Sequence, residues 1–126
     1  MRLTMMTDYA LRLLMYVAQQ PERLCTISEV AQAYEISEAH LMKVTHQLAL
    51  QGWIETVRGK GGGMRLAHAP RDINLGAVVR GIEPDFALVE CFSTGNQCVL
   101  TGRCGLAEVL TGSLQAFMAY LDGFSL

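Results

Sequence analysis

The feature that most constrains this chain is a pair of short helical segments joined by a brief turn. The first is predicted from Ser28, which would cap it, to about Tyr34. The second is predicted from Glu38 to about Gln51, with Ser37 as its cap and Gly52 as its end. Two short helices joined by a tight turn are typical of a helix-turn-helix.

The apolar residues of these two segments support close packing. Ala31 is small where the helices would cross, Ile36 would fill the turn, and Leu41 and Val44 would face the core. Glu35 occupies the turn position at which glycine is commonest, because the backbone there tends toward a positive φ. The same spacing fits any helical hairpin, so the residues that follow must distinguish a helix-turn-helix from other hairpins.

A β-hairpin is predicted directly after the second helix. Strand-forming residues lie at positions 53–57 and 64–66, on either side of a turn rich in glycine. Glycines let such a turn approach a phosphate backbone, while Arg58 and Lys60 supply positive charge. The sequence therefore predicts a mainly α fold, a winged helix-turn-helix with a small β-hairpin wing. The wing residues expected to bind DNA are Arg58, Gly59, Lys60 and Gly61.

The glycine-rich turn has two alternative interpretations. A nucleotide-phosphate loop needs Ser or Thr after the Gly-Lys pair, but Gly61 stands there, and no G-x-G-x-x-G pattern is completed at Met64. A purely structural turn stays open, although the two cations within the turn favour phosphate binding.

The distribution of charge agrees with a localised anion-binding face. The chain has a net charge of −2, yet residues 38–71 contain five basic and only two acidic side chains. A solvated surface would give the same balance, but this excess coincides with the second helix and the wing. His40 and His46 also fit ordinary surface histidines. The helix residues expected to contact double-stranded DNA are Ser37, Ala39, His40, Lys43 and His46.

Three further helices are predicted from apolar spacing. The first runs from Thr7 to Gln20, capped by Thr4 or Thr7, and a short one runs from Leu75 to about Arg80. The last runs from about Gly105 to Leu121 and carries an apolar stripe along one face. A small winged helix has little core to cover that stripe, so we expect this long C-terminal helix to join a symmetric homodimer.

The length of 126 residues fits one compact unit with an appended element. We expect residues 1–72 to form the DNA-binding domain and residues 73–126 to form a cysteine loop and the dimerisation helix. No apolar stretch reaches the length of a membrane span, and the amino terminus has no apolar segment typical of a secretory signal. We therefore expect a cytoplasmic protein without a membrane partner. Disulfides are disfavoured in the reducing cytoplasm.

Three of the four cysteines are grouped. Cys91, Cys98 and Cys104 have the spacing C-x6-C-x5-C, whereas Cys25 stands apart and is expected to be a buried thiol without a role. The spacing differs from the C-x2-C pairs of zinc ribbons and from ferredoxin patterns. A glycine-containing loop with three soft donors favours an iron–sulfur cluster, although zinc and unmetallated thiols stay open. Three protein ligands leave one position for another group.

The chain resembles the iron–sulfur winged-helix repressors over nearly its whole length. The resemblance is carried by the cysteine loop and by three short stretches: Leu3-Thr4 with Thr7-Asp8-Tyr9-Ala10-Leu11-Arg12, the wing from Val57 to Leu66, and Val79-Arg80-Gly81-Ile82-Glu83-Pro84. One branch of this family typically has a histidine ligand three residues after the third cysteine. Ala107 stands at that position here, so the chain is more similar to the nitric-oxide-sensing branch.

This resemblance implies a homodimer that holds one iron–sulfur cluster per subunit, of the [2Fe-2S] or [4Fe-4S] type. It implies Cys91, Cys98 and Cys104 as ligands, with Asp8 of the partner subunit as the fourth. An acidic residue in the first turn of a helix is also favoured by the helix dipole with no metal at all. The implied function is repression at palindromic operator DNA, relieved when nitric oxide attacks the cluster.

Other functional classes are weaker alternatives. An iron–sulfur electron carrier would need no DNA-binding face, and a regulator of the same fold could sense iron–sulfur or redox status, with a cluster or through zinc or a disulfide. No nucleophile stands beside a base in a recognisable catalytic pattern, so we do not expect an enzyme.

Overall fold

The computed structural model describes residues 1–126 and contains five α-helices and one two-stranded antiparallel sheet. Single 3-10 turns occur at Pro70–Asp72 and Glu90–Phe92. The prediction of a mainly α fold with a small hairpin after the helix-turn-helix is confirmed. In chain order the elements are α1 (Met5–Ala18), α2 (Ile27–Tyr34), α3 (Glu38–Leu50), β1 (Ile54–Val57), β2 (Gly63–Leu66), α4 (Leu75–Ile82) and α5 (Gly105–Asp122).

One hydrophobic core joins the first four helices to the hairpin. Leu13 and Leu14 of α1, Leu41 and Leu48 of α3 and Met64 of β2 are all fully buried within it. Burying a leucine side chain contributes about 1.5–3 kcal/mol. Because α4 packs on this same core, the predicted division between residues 72 and 73 separates elements that share one core, and it stays a prediction.

Helix α1 starts earlier than predicted. It begins at Met5 and ends at Ala18, whereas the expected span was from Thr7 to Gln20. The first of the two predicted caps is the correct one, because the Thr4 hydroxyl accepts a hydrogen bond from the Thr7 amide at 3.3 Å.

The start of α2 corrects one predicted cap. Thr26, and not Ser28, caps the helix: its hydroxyl accepts a hydrogen bond from the Glu29 amide at 3.1 Å, and the Glu29 carboxylate accepts one from the Thr26 amide at 3.2 Å. This reciprocal pair is a capping box. The turn after α2 follows the prediction, since Glu35 has φ 56° in the left-handed region. Ser37 caps α3 through the amide of His40 at 3.2 Å.

The wing is anchored by a segment far from it in sequence. Ile54 pairs with Leu66 and Val57 with Gly63 in the hairpin. Cys25 forms a single antiparallel bridge to Met64 of β2. Its amide donates to the Met64 carbonyl at 2.9 Å, and its carbonyl accepts from the Met64 amide at 2.8 Å. Cys25 is buried as predicted, and burial raises the pKa of its thiol.

Helix α5 is fastened to α4 near its C-terminal end. Arg80 donates to both carboxylate oxygens of Asp122 at 2.5 and 2.7 Å, and the Asn74 amide donates to the Asp122 carbonyl at 2.7 Å. Met118 is the only residue of α5 that is buried. Two apolar residues of its stripe, Leu106 and Val109, are exposed in the single chain, and the rest are half-buried. None of the helices has the length and hydrophobicity needed to cross a bilayer.

Candidate nucleic-acid interface and cysteine site

The exposed face of α3 carries the residues predicted to contact DNA. Ala39, Lys43 and His46 are exposed and spaced four and three residues apart, so they share one helical face. Ser37 is exposed at the helix start, where its hydroxyl already serves as the cap. His40 is half-buried and less available than its neighbours.

Met42 is a surface residue of this helix that was not among the residues predicted to contact DNA. Its side chain is 59% exposed, and it lines a shallow groove of about 520 Å³ together with Lys43, His46 and Thr56 of β1. Spacing alone could have identified it, because Leu41, Val44 and Leu48 form the core stripe and leave position 42 outside. A thioether in that groove suits contact with an apolar base group such as the thymine methyl.

The first helix touches α3, the predicted recognition helix, through an aromatic contact that the sequence did not predict. The ring of Tyr9 lies edge-on to His40, with centroids 4.8 Å apart. Arg12 lies 5.9 Å from the Tyr9 ring centroid and forms an ion pair with Asp8 at 3.0 Å. Tyr9 therefore connects the start of α1 to the start of α3, and Asp8 and Arg12 lie beside it on α1.

The wing tip presents positive charge that no acidic side chain neutralises. Arg58 and Lys60 are exposed and lie in no ion pair, whereas Arg65 on β2 is paired with Glu55 at 3.1 Å. Gly59 and Gly61 have φ of 93° and 77°, a backbone conformation that favours glycine. The tip therefore has a fixed glycine-dependent shape and two free cations.

The three grouped cysteines converge on one cavity. Cys91, Cys98 and Cys104 all line a cavity of about 500 Å³, together with backbone at Gly102 and Gly105. Each approaches from a different local structure: Cys91 from a 3-10 turn, Cys98 from a turn bonded to the Asn96 side chain at 2.9 Å, and Cys104 from the N-cap position of α5. Cys25 lies elsewhere, in the core.

The donor set of this cavity fits an iron–sulfur cluster better than a single metal ion. No three His, Cys, Asp or Glu side chains of the chain lie close enough together to hold one ion. Three thiols around a wide cavity match a larger inorganic group, for which soft thiolates are the preferred ligands. Glu108, which the sequence analysis did not single out, also lines the cavity.

Asp8 does not line the cavity of its own chain. Its carboxylate is about half exposed and pairs with Arg12 on the same helix. The four residues named as cluster ligands are therefore not brought together within one subunit, and a role for Asp8 requires a second copy.

The apolar face of α5 lies uncovered beside the cysteine cavity. Leu106 and Val109 are each 63% exposed, and Tyr120 and Phe124 continue the apolar surface toward the C-terminal end. Apolar side chains concentrated on one face of a helix are a common feature of protein interfaces.

The fold and these surfaces define the chain as a winged-helix DNA-binding protein with an appended cysteine loop. A family model described as Rrf2, iron-dependent transcriptional regulator, matches residues 3–126. The chain belongs to the Rrf2 family and is a transcriptional regulator.

A relative agrees with this assignment, and two solved structures share the fold. The HTH-type transcriptional regulator NsrR of Bacillus subtilis is 48% identical over 128 residues, which span 100% of this chain and 88% of the relative. The structure of CymR, the global cysteine regulator of B. subtilis, superposes with a TM-score of 0.80 at 23% identity, covering 99% of this chain and 92% of CymR. The structure of T. potens IscR gives 0.76 at 23% identity, covering 99% and 82%.

Proposed function

We propose that this regulator is a homodimeric repressor whose hold on operator DNA depends on an iron–sulfur cluster in each subunit and is lost when nitric oxide reacts with that cluster. The observation that carries the proposal is the convergence of Cys91, Cys98 and Cys104 on one cavity beside a winged helix. Nitric oxide as the signal is supported by the resemblance to the nitric-oxide-sensing branch and by 48% identity to a relative named NsrR.

In this proposal Cys91, Cys98 and Cys104 hold the cluster, and Asp8 of the partner subunit supplies the fourth ligand. When bound, the cluster supplies iron atoms with which nitric oxide combines. An oxygen ligand binds iron less firmly than a thiolate, which suits a position that must be opened by the signal. The carboxylate of Asp8 is about half exposed, and this accessibility to a second chain supports the proposal.

The DNA-binding face is assigned to α3 and the wing. Ser37, Ala39, His40, Lys43 and His46 read the major groove of a palindromic operator, and Arg58, Gly59, Lys60 and Gly61 bind at the minor groove. The exposed apolar face of α5 joins the two subunits. A palindrome follows from the two-fold symmetry of such a dimer.

The release step uses the contacts between α1 and α3. When the Asp8 carboxylate leaves the partner's cavity, it pairs with Arg12 of its own helix. Arg12 in turn packs on Tyr9. Because Tyr9 lies against His40, a shift of α1 changes the position of α3, the recognition helix, in the major groove. A local ligand event is thereby converted into a change in operator affinity.

The decisive experiment is anaerobic purification followed by absorption spectroscopy and by iron and sulfide analysis. We expect a coloured, iron-containing protein, and folded but colourless Cys91→Ala, Cys98→Ala and Cys104→Ala variants that bind a palindromic operator poorly. Thr94→Ala, an exposed change in the same loop, is the matched control and should keep its iron.

Mobility shifts with palindromic and random duplexes, before and after nitric oxide, complete the test. Iron-free wild-type protein that binds its operator tightly with or without nitric oxide would overturn the proposal. Iron-containing protein that does not distinguish the two duplexes would instead favour an electron carrier.

A further inference from the structure

The segment between α4 and the cysteine loop has no role in the function described so far. It consists of residues 81–83, which are the last two residues of α4 and Glu83. Pro84 then leads into the loop that carries Cys91. Glu83 follows α4 directly and remains tied to it, since its amide donates to the Val79 carbonyl at 2.9 Å. It is therefore the last residue of the chain that is fixed to α4 before the loop begins.

The side chain of Glu83 is bonded to the start of a distant helix. Its two carboxylate oxygens each lie 3.2 Å from the Thr4 amide, and one of them accepts from the Thr4 hydroxyl at 3.1 Å. The same oxygen accepts a hydrogen bond from the hydroxyl of Thr7, which is fully buried. A carboxylate with several donors at a helix N-terminus is strongly held, because the hydrogen bonds and the helix dipole act together.

The turn that Glu83 holds is the one that carries Asp8. Thr4 is the cap of α1, and the Asp8 amide donates to the Thr4 carbonyl at 3.0 Å. The position of the Asp8 carboxylate and of the Arg12 side chain paired with it is thus set from a turn whose cap is bonded to Glu83.

A second contact joins the same segment to the recognition helix. The side chain of Gln51, the C-cap residue of α3, donates to the carbonyl of Gly81. A Cβ at Gly81 would lie 2.0 Å from Oε1 of Gln51, so a larger residue there would displace this side chain. Residues 81–83 therefore touch the start of α1 and the end of α3 at the same time.

We propose that Glu83 is the positioning residue that couples the state of the cysteine loop to the Asp8 turn and, through it, to DNA affinity. This inference rests on the proposed cluster-dependent function. A displacement of the loop acts on Glu83 first, because Glu83 is its attachment point, and the carboxylate passes the displacement to Thr4 and Thr7. The coupling is carried by a contiguous set of hydrogen bonds between residues 76 or more positions apart in sequence.

The test compares operator affinity in the cluster-loaded and cluster-free forms of wild type, Glu83→Gln and Glu90→Gln. Glu90 is an exposed acid in the loop that follows, and its side chain makes no hydrogen bond, so its variant removes the same charge without removing a hydrogen bond. We expect the wild-type and Glu90→Gln dissociation constants to differ between the two forms by a factor in the range of about 5 to 150 that is common for allosteric coupling. In Glu83→Gln the factor should fall toward one.

A second readout separates coupling from simple structural support. Hydrogen exchange of the amides from Thr4 to Asp8 should differ between loaded and cluster-free wild type and should be equal in Glu83→Gln. If Glu83→Gln does not fold, Thr4→Ala removes one of the donors and should lower the affinity factor in the same direction. A wild-type factor of one overturns the proposed function. If wild type shows the expected ratio of dissociation constants and Glu83→Gln, or Thr4→Ala in its place, shows the same ratio, the proposed role of Glu83 is wrong. This holds even if the variant has a lower melting temperature.

Discussion

The DNA-reading segment, residues 5–82, and the cysteine segment, residues 83–117, are built on different physical principles. All but one of the 20 buried residues lie between Thr7 and Ile82, and no residue from 83 to 117 is buried. The first segment is therefore held by its own core, whereas the second has none. A segment without a core is ordered by what binds to it, so its conformation can respond to a ligand or a partner chain while the DNA-reading segment stays folded.

The largest expected effect is a loss of stability on truncating the core of the DNA-reading segment. Leu13 is fully buried in α1, so Leu13→Ala should lower the free energy of unfolding by about 2–5 kcal/mol. Val99→Ala, at a position 85% exposed in the cysteine segment, should change it by less than about 0.5 kcal/mol. Urea denaturation followed by circular dichroism measures both, and equal losses would contradict the contrast between the segments.

The next effect concerns the uncovered face of α5. Val109→Glu places a charge on a side chain that is 63% exposed in the single chain, and it should weaken the proposed homodimer at least about tenfold, or about 1.4 kcal/mol. Gln115→Glu adds the same charge on another face of the helix and should leave the dimer intact. Sedimentation equilibrium gives both association constants. A dimer unaffected by Val109→Glu would remove α5 from the interface.

A smaller effect should appear at the wing of the DNA-reading segment. Arg58→Ala should lower operator affinity a few-fold on every sequence and reduce the slope of log K against log salt by about 0.9, because one phosphate contact is lost. Arg65→Ala is the control, since Arg65 is already paired with Glu55. Fluorescence anisotropy over a salt series provides the slopes, and identical slopes for Arg58→Ala and wild type would rule out a phosphate contact at the tip.

The smallest effect is a pH-dependent one where α5 meets α4. The hydrogen bond from Arg80 lowers the pKa of the Asp122 carboxyl below its usual range. The folded-state pKa is therefore below the unfolded one, so the stabilisation is complete above pH about 4 and is lost as the pH falls through the folded value. Thermal melts should show Asp122→Asn less stable than wild type at neutral pH, with the difference shrinking in acid. If the stability difference between Asp122→Asn and wild type instead grew on acidification, the pKa of Asp122 would not be lowered in the folded protein.

Local features of the fold were predictable from sequence because their causes lie within a few residues. Ser37 caps α3 as expected, Glu35 adopts the left-handed conformation that its turn position demands, and Leu41 and Val44 are buried. The misplaced cap of α2 was also readable, since Thr26 and Glu29 have the spacing of a capping box. The grouping of the three cysteines likewise predicted that they would share a site.

Contacts between distant parts of the chain were not predictable. His40 is half-buried, and the ring of Tyr9 from another helix lies edge-on to it. Nothing near Glu83 indicates that its carboxylate would bind Thr4, which lies 79 positions away. Each of these depends on how completed helices pack, which involves many weak interactions summed over the whole core.

The sequence by itself determined the order and type of the elements, the glycine-dependent basic wing and the cysteine spacing, because caps, periodicity and turn residues act over one or two helical turns. Only the tertiary structure decided that three cysteines surround one cavity, that Asp8 lies outside it and that one carboxylate joins the loop to the first helix. Those outcomes depend on the relative placement of helices, and that placement is fixed by burial of apolar surface and not by local chain geometry.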